Sequence, residues 1–156
     1  MKAVVQRVTR AAVRVERARG AETAGEIGPG MLVLLCVLKG DTSRECDELA
    51  LKVAQFRFFQ DAAGKMNLSA LELKREVLVV SQFTLAADGT SGRRPSFDRA
   101  APPAEAEPLY QRFVWQLRAA GLKVATGEFG AAMQVELVND GPVTFVLEVS
   151  AESAGG

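Results

Sequence analysis

The chain has 156 residues and contains no histidine. Histidine is the base in Ser-His-Asp and Cys-His catalytic systems, so its absence excludes both kinds of enzyme. It also removes the histidine ligands on which many zinc sites depend. Catalysis near neutral pH must therefore use a carboxylate, a lysine, backbone amides or a group that the substrate supplies.

Cysteines and long apolar runs are scarce as well. Cys36 and Cys46 are too few for a disulfide framework or a zinc site, and we interpret both as free structural thiols. The longest apolar run, 31–38, has the length of a strand and falls short of the ~18 residues that span a membrane. The N-terminal segment alternates and keeps its arginines, unlike a signal peptide. We therefore expect a cytoplasmic protein that has no membrane partner.

The net charge is zero, because 19 basic residues balance 19 acidic ones. This balance disfavours nucleic-acid binding through a generally basic surface but permits a local patch. Two groups of arginines are candidates for such a patch: Arg7, Arg10 and Arg14 near the start, and Arg93, Arg94 and Arg99 in the middle. A solvated charged face explains either group equally well.

Hydrophobic periodicity predicts several short strands and two main helices. Helix 44–58 follows N-cap residues at 41–43, and helix 104–120 ends before Gly121. Segment 20–30 is rich in Gly, Ala and Glu and ends in a turn signal, and 88–103 resembles a loop. The predicted strands are 2–9, 11–17, 31–38, 77–83, 123–129, 133–138 and 143–149.

Strands cluster before the first helix, and helices do not alternate regularly with strands. This order predicts an α+β fold rather than a doubly wound parallel sheet. We expect one domain over residues 1–149, followed by a disordered tail at 150–156.

Three polar segments are candidates for chemistry. At 81–86, SQFTLA places polar side chains at the end of a buried strand, where rigid N–H groups suit oxyanion stabilisation. A strand end whose Ser and Thr cap the next turn is the simpler interpretation. At 139–144, NDGPVT is a strong turn signal, and a hairpin connection explains it. At 92–97, two arginines lie in a Gly/Pro-rich loop and are suited to binding phosphates. A loop that only increases solubility explains them equally well.

Together these segments resemble the D-aminoacyl-tRNA deacylase family over about residues 1–149. SQFTLA and NDGPVT stand in the family's form and order. Two hexapeptides at the right separation are far more specific than a lone SQFT. The supporting segments are QRVTRAAV at 6–13, GEIGPG at 25–30, KMNLS at 65–69, RRPSF at 93–97 and FGAAMQVELVNDGPVT at 129–144.

The resemblance implies a β-barrel-like sheet with helices packed on it, assembled as a two-fold homodimer with active sites at the interface. It implies aminoacyl-tRNA as the partner, with no cofactor and no metal. The resemblance also implies that the Gly-Pro dipeptide of NDGPVT has a cis peptide bond and enters the pocket of the partner subunit. By matching positions, the pocket residues are Ser81, Gln82, Phe83, Thr84 and Met133, while Gly141 and Pro142 enter the partner's pocket and Arg7 steadies their loop.

A mechanism without histidine follows from this resemblance. We expect the backbone N–H groups of Phe83 and Thr84 to stabilise the oxyanion formed during hydrolysis of the ester, while a ribose hydroxyl of the RNA assists water. The carbonyls of Gly141 and Pro142 are expected to exclude an L side chain, leaving glycine only partly excluded. A non-catalytic RNA-binding dimer and a hydrolase of other small esters remain alternatives.

Overall fold

The fold is organised around one long N-terminal strand, β1 (Lys2–Arg17), in a computed structural model that describes residues 1–151. The remaining elements are β2 (Gly20–Ile27), β3 (Gly30–Cys36), α1 (Ser43–Gln55), β4 (Phe59–Gln60), β5 (Met66–Leu68), α2 (Ala70–Leu73), β6 (Glu76–Ser81), a 3-10 helix (Phe83–Ala86), α3 (Pro103–Ala119), β7 (Lys123–Thr126) and β8 (Met133–Glu148).

β1 is the strand to which three others are hydrogen-bonded. β8 runs antiparallel along one edge of β1, whereas β2 and β3 follow one another along the other edge. The predicted strands 2–9 and 11–17 are thus one strand, because β8 pairs with both halves. The Gly- and Ala-rich segment that we did not predict as a strand forms β2, since the backbone of β1 supplies its partners.

The sheet curls into a nearly closed barrel. β3, β6 and β7 lie parallel to one another and extend the sheet away from β1. β7 then approaches β2 so closely that a Cβ atom on Gly25 would lie 2.4 Å from the Thr126 carbonyl oxygen. Glycine at this position lets the two backbones meet. The predicted α+β, barrel-like fold is confirmed.

The NDGPVT segment does not connect a hairpin, so that interpretation was wrong. Both flanks belong to β8 and pair with β1 in the same direction. Gln6 pairs with Thr144 and Val8 with Asn139, so two steps along β1 correspond to five steps along β8. The surplus residues bulge out of the ladder around Gly141–Pro142 and present that dipeptide on the surface.

The helices cover one face of the sheet, as their apolar spacing predicts. α1 begins after Thr42, whose side chain accepts from Arg44 N in a capping box with Glu45. From α3, Tyr110 Oη donates to the Val79 carbonyl at 3.0 Å. Burial raises the pKa of the Tyr110 hydroxyl to about 12, so it stays a donor at neutral pH. This bond ties α3 to the central strand β6.

The apolar side chains of the sheet form two clusters on opposite faces. Leu32 and Leu78 belong to one cluster, while their chain neighbours Val33 and Val79 belong to the cluster against the helices. The central strands β3 and β6 are therefore buried on both faces, as their continuous apolar runs predict.

Several predicted boundaries need correction. The strand predicted at 77–83 ends at Ser81, and the strand predicted at 123–129 ends at Thr126, because pairing with the neighbouring strands stops there. The helix predicted at 44–58 ends at Gln55. The short elements β4, β5 and α2 were missed. Most of the predicted disordered tail, residues 152–156, lies outside the described residues.

Candidate functional site

The SQFTLA segment lies where the central strand β6 ends. Ser81 is the last residue of β6 and is paired with Leu35 of β3. The backbone N–H of Gln82 donates to the Leu35 carbonyl at 2.7 Å, after which the chain turns into the 3-10 helix. Because β3 and β6 are buried on both faces, this turn is held at a rigid position.

The turn leaves two backbone donors unused. The first N–H groups of a helix have no partner within the helix. At the start of this 3-10 helix, the N–H groups of Phe83 and Thr84 have no hydrogen-bond acceptor among residues 1–151. Gln82 Nε2 donates to Thr84 Oγ1 and so orients that hydroxyl. Such free donors on adjacent residues can bind an oxyanion.

The buried thiol of Cys36 contacts the same turn. Cys36 Sγ lies 3.6 Å from the Phe83 carbonyl oxygen, in the range of a weak S–H hydrogen bond. Burial raises the pKa of the Cys36 thiol, so the group stays neutral and can donate. The neutral thiol agrees with a structural role for Cys36.

Next to the turn lies a cleft of about 460 Å³. It contains four of the residues that the sequence singles out: Ser81, Gln82, Phe83 and Met133. Thr84 follows these residues in the chain but does not line the cleft. The remaining lining is almost entirely apolar and comes from Val37, Val80, Ala101, Pro103, Ala106, Phe129, Gly130, Ala131 and Val135.

Sequence reasoning missed Phe129, Gly130 and Ala131 as cleft residues. They form the turn before β8, and Gly130 adopts a left-handed φ of 77° that favours glycine. The segment FGAAM at 129–133 contains this turn, but nothing in its residues shows that it faces the end of β6. That proximity depends on the pairing of β8 with β1.

Met133 is positioned by the backbone around it. Its Sδ atom lies 3.4 Å from the backbone nitrogen of Glu128, which donates to it. A Cβ atom on Gly127 would lie only 2.7 Å from the same sulfur. The absence of a side chain at Gly127 therefore makes room for Met133 against the cleft.

A larger cleft of about 620 Å³ lies beyond Phe129, which lines both cavities. Its lining includes Arg17, which forms ion pairs with Glu22 and Glu128 in the same lining. None of the residues singled out by the sequence lines it. We therefore take the smaller cleft, which adjoins the strand end and the free N–H groups, as the candidate site.

The Gly141–Pro142 peptide bond is cis, and both residues are exposed on the bulge of β8. The Asn139 side chain clamps the bulge, because its Oδ1 accepts from Val143 N at 2.7 Å and its Nδ2 donates to the Val143 carbonyl at 3.3 Å. A Cβ atom on Gly141 would lie 2.5 Å from Val143 N. Only glycine fits this close approach.

Arg7 anchors the same bulge from the core side. The residue is 7% exposed, and its Nε donates to the Asp140 carbonyl at 2.9 Å. Its Nη1 donates to the Phe58 carbonyl, also at 2.9 Å. The Asp140 carboxylate lies 3.5 Å away. Arg7 thus bridges the Gly-Pro bulge and the segment after α1.

Within one chain, the Gly-Pro dipeptide of the second hexapeptide lies outside the cleft beside the first. Gly141, Pro142 and Arg7 do not line the cleft that contains Ser81 and Met133. Met133 begins β8, so the eight steps to Gly141 correspond to roughly 26 Å of extended strand. One chain therefore presents the cleft and the Gly-Pro bulge at separate places.

Few titratable groups adjoin the cleft. Asp88 is the first acid after the motif, and hydrogen bonds from Thr90 lower the pKa of its carboxyl. Within residues 1–151, no group of three or more Cys, Asp or Glu is arranged to hold a metal ion. In the same part of the chain, no helix has the length and apolar character needed to span a membrane.

Comparison with known proteins identifies the family. The profile described as D-Tyr-tRNA(Tyr) deacylase matches residues 4–148. A D-aminoacyl-tRNA deacylase of Dehalococcoides mccartyi is 57% identical over 148 residues, covering 95% of this chain and 94% of that protein. The protein of that name from Geobacter sulfurreducens is 55% identical over 154 residues, covering 99% of each chain.

Two solved structures have the same fold. The "c-Myc DNA Unwinding Element Binding Protein" superposes with a TM-score of 0.88 at 44% identity, covering 97% of this chain and 100% of that one. A probable eukaryotic D-amino acid tRNA deacylase superposes with a TM-score of 0.81 at 16% identity, covering 95% and 98%. At 16% identity the likeness concerns the fold alone. The profile match and the relatives above half identity show that this chain belongs to the D-Tyr-tRNA(Tyr) deacylase family.

Proposed function

We propose that this protein hydrolyses the ester bond between a D-amino acid and the terminal adenosine of a tRNA. Membership of the family makes it a hydrolase that acts on ester bonds, and its relatives carry the name D-aminoacyl-tRNA deacylase. The observation that carries the proposal is the pair of unpartnered N–H groups on Phe83 and Thr84 beside an apolar cleft.

The reaction needs stabilisation of charge more than a protein base. Water adds to the ester carbonyl, and the carbonyl oxygen becomes negative in the tetrahedral intermediate. The two N–H groups donate to this oxygen, and losing one such donor typically costs about 2.7–4 kcal/mol. The intermediate collapses with cleavage of the bond to the ribose oxygen, which takes up a proton, and the amino acid leaves. The adjacent ribose hydroxyl assists the attacking water, so no histidine is required.

The Thr84 side chain has a positioning role in this scheme. A threonine hydroxyl becomes a nucleophile only beside a base. Here Thr84 Oγ1 accepts from Gln82 Nε2, and an amide donor cannot remove its proton. Thr84→Val should slow single-turnover deacylation by less than about a hundredfold, with unchanged thermal stability. A loss of many thousandfold in a folded variant would identify the hydroxyl as the nucleophile.

Chiral selection is assigned to Gly141 and Pro142 of the partner subunit in a two-fold dimer. One chain separates the bulge from its own cleft, so a second copy must bring the two together. Val138 and Val146 of β8 lie on either side of the bulge and are 41% and 63% exposed, as apolar residues of an interface are before assembly. The bulge carbonyls would stand where an L side chain leaves Cα and would accept from the amino group.

The experiment compares D-Tyr-tRNA and L-Tyr-tRNA as substrates of the wild-type protein. The expected result is rapid hydrolysis of the D ester, strong rejection of the L ester and partial acceptance of glycine. Comparable turnover of the D and L esters would refute steric exclusion. Light scattering tests assembly separately, since a mass of 16.7 kDa rather than twice that value would remove the second copy.

A further inference from the structure

The structure distinguishes the two groups of arginines that, from the sequence, are equally good candidates for contact with RNA. Arg10 and Arg14 both contact the Glu136 carboxylate, at 2.6 Å and 3.3 Å. Arg7 is buried against the Asp140 and Phe58 carbonyls. Arg10 and Arg14 share a single carboxylate and Arg7 is buried, so this first group holds its charges in ion pairs or away from the surface and is a poorer candidate for contact with phosphates.

The second group lies on the loop 88–99, which carries three arginines against two acids, Asp88 and Asp98, and Arg99 contributes to the lowered pKa of the Asp88 carboxyl. Arg93, Arg94 and Arg99 are exposed and form no ion pair with any described residue of the chain. The base of the loop is closed by two backbone hydrogen bonds between Asp88 and Ser96, each of 2.8 Å. The arginines are thus available while the loop that carries them is held in place.

An aromatic pair links this loop to the candidate site. The rings of Phe83 and Phe97 meet edge to face with centroids 5.3 Å apart. The two side chains are 56% and 36% exposed, so their rings are accessible to a ligand. Phe83 also lines the cleft, so the aromatic surface runs from the site toward the arginines.

We propose that the loop 88–99, together with the Phe83–Phe97 pair, binds the single-stranded 3′ end of the RNA whose terminal adenosine carries the ester. Arginines contact phosphates, and exposed aromatic rings stack on unpaired bases. A nucleotide chain that leaves the cleft past Phe83 meets Phe97 and then the arginines. The inference rests on the proposed function, because that function places the terminal adenosine at the cleft.

The test compares Arg93→Ala/Arg94→Ala with a control of equal charge change, Arg19→Ala/Arg44→Ala. Arg19 and Arg44 are exposed and distant in sequence from the loop. Each protein is assayed on D-aminoacyl-tRNA, on the D-aminoacylated 3′ trinucleotide and on D-aminoacyl-adenosine. Binding of uncharged tRNA is measured as a function of salt, without any need for catalysis.

We expect the loop variant to weaken binding of both longer substrates and to leave hydrolysis of D-aminoacyl-adenosine unchanged. Two lost phosphate contacts should reduce the slope of log affinity against log salt by about 1.4, since each contributes about 0.7 on a single strand. The control should match the wild type. Equal slopes for the loop variant and the control overturn the inference, as does a defect seen with tRNA but absent with the trinucleotide.

A second pair of variants addresses the aromatic surface. Phe97→Leu keeps an apolar side chain but removes the ring, whereas Phe97→Tyr keeps the ring. Loss of a stacked base should weaken trinucleotide binding roughly 5- to 150-fold in the Leu variant alone. Equal binding by both variants overturns the stacking. If the wild type hydrolyses no D-aminoacyl ester, the proposed function fails, while salt-dependent binding still decides whether the loop contacts RNA.

Discussion

Replacing Arg7 should loosen the Gly-Pro bulge and weaken both stability and chiral selection. Arg7→Met removes the guanidinium and keeps a long apolar stem, so the packing of the side chain is disturbed as little as possible. The change leaves the Phe58 and Asp140 carbonyls without their donor. The two carbonyls lie in different surroundings, and this difference sets the magnitude.

The Phe58 carbonyl lies in a buried contact, whereas the contact to Asp140 is only partly buried. A hydrogen bond from a charged donor contributes about 1.5–3 kcal/mol. Water can replace the donor at Asp140 but not at Phe58. We therefore expect the free energy of unfolding to fall by about 2–4 kcal/mol. If the anchor at Asp140 alone is worth ~1.4 kcal/mol, its loss corresponds to about a tenfold change in selectivity.

The assay combines denaturant unfolding with deacylation of D- and L-Tyr-tRNA. Asp140→Asn is the matched control, because it removes the ion pair to Arg7 but keeps the carbonyl that accepts from Nε. The Asp140 side chain is 55% exposed, so this pair should contribute no more than about 1 kcal/mol. Arg7→Lys should resemble Arg7→Met, since one ammonium group cannot reach two divergent carbonyls as a guanidinium does.

Two results would refute this reasoning. If Arg7→Met and Asp140→Asn lower the stability equally, the buried hydrogen bonds contribute nothing beyond the exposed ion pair. If Arg7→Met lowers the stability but leaves the ratio of D to L hydrolysis unchanged, Arg7 supports the segment after α1 and does not hold the bulge.

Two further predictions concern the scaffold. Gly30→Ala should lower the melting temperature strongly, because its Cβ would lie 1.9 Å from the Glu76 carbonyl oxygen. In the control Gly89→Ala, the new Cβ meets nothing within 4 Å, so stability should change by less than about 0.5 kcal/mol. Similar melting temperatures for the two variants would contradict the close packing of β3 on β6. Hydrogen bonds from Arg112 hold the pKa of the Asp47 carboxyl below its ordinary value. The ionised Asp47 carboxylate therefore stabilises the fold at pH values above the ordinary carboxyl pKa of about 3.9. This stabilisation is lost as the pH falls through the lowered pKa of Asp47. Asp47→Asn should therefore reduce stability at neutral pH and flatten the acid limb of an unfolding-against-pH curve, and an unchanged limb would show that the pair is not coupled to folding.

Much of the candidate site can be predicted from short segments of sequence. SQFTLA and NDGPVT indicate the family because each is a local pattern whose residues are read directly. The absence of histidine restricts the chemistry in the same direct way. Helices α1 and α3 follow from apolar residues spaced at the helical period and from the cap at Thr42, all of which are local features.

The errors in the strands have a common physical origin in strand pairing. A strand is stabilised by partners that are distant in sequence, so the segment Gly20–Ile27 becomes β2 despite its weak pattern. The bulge of β8 looks like a hairpin turn because its residues favour turns, yet pairing with β1 continues on both sides of it. Local preference determines that the chain bends there, but the partner strand determines where it goes next.

By itself, the sequence determined which residues are available for chemistry: rigid backbone amides at a strand end, a Gly-Pro dipeptide, and no histidine. Only the tertiary structure decided how they are arranged. It placed Ser81 and Met133 on one cleft, kept Gly141 and Pro142 away from it, and paired Arg10 with Glu136 while leaving Arg93 exposed. The reason is that burial, ion pairing and shared cavities depend on contacts between residues far apart in the chain, which no local pattern contains.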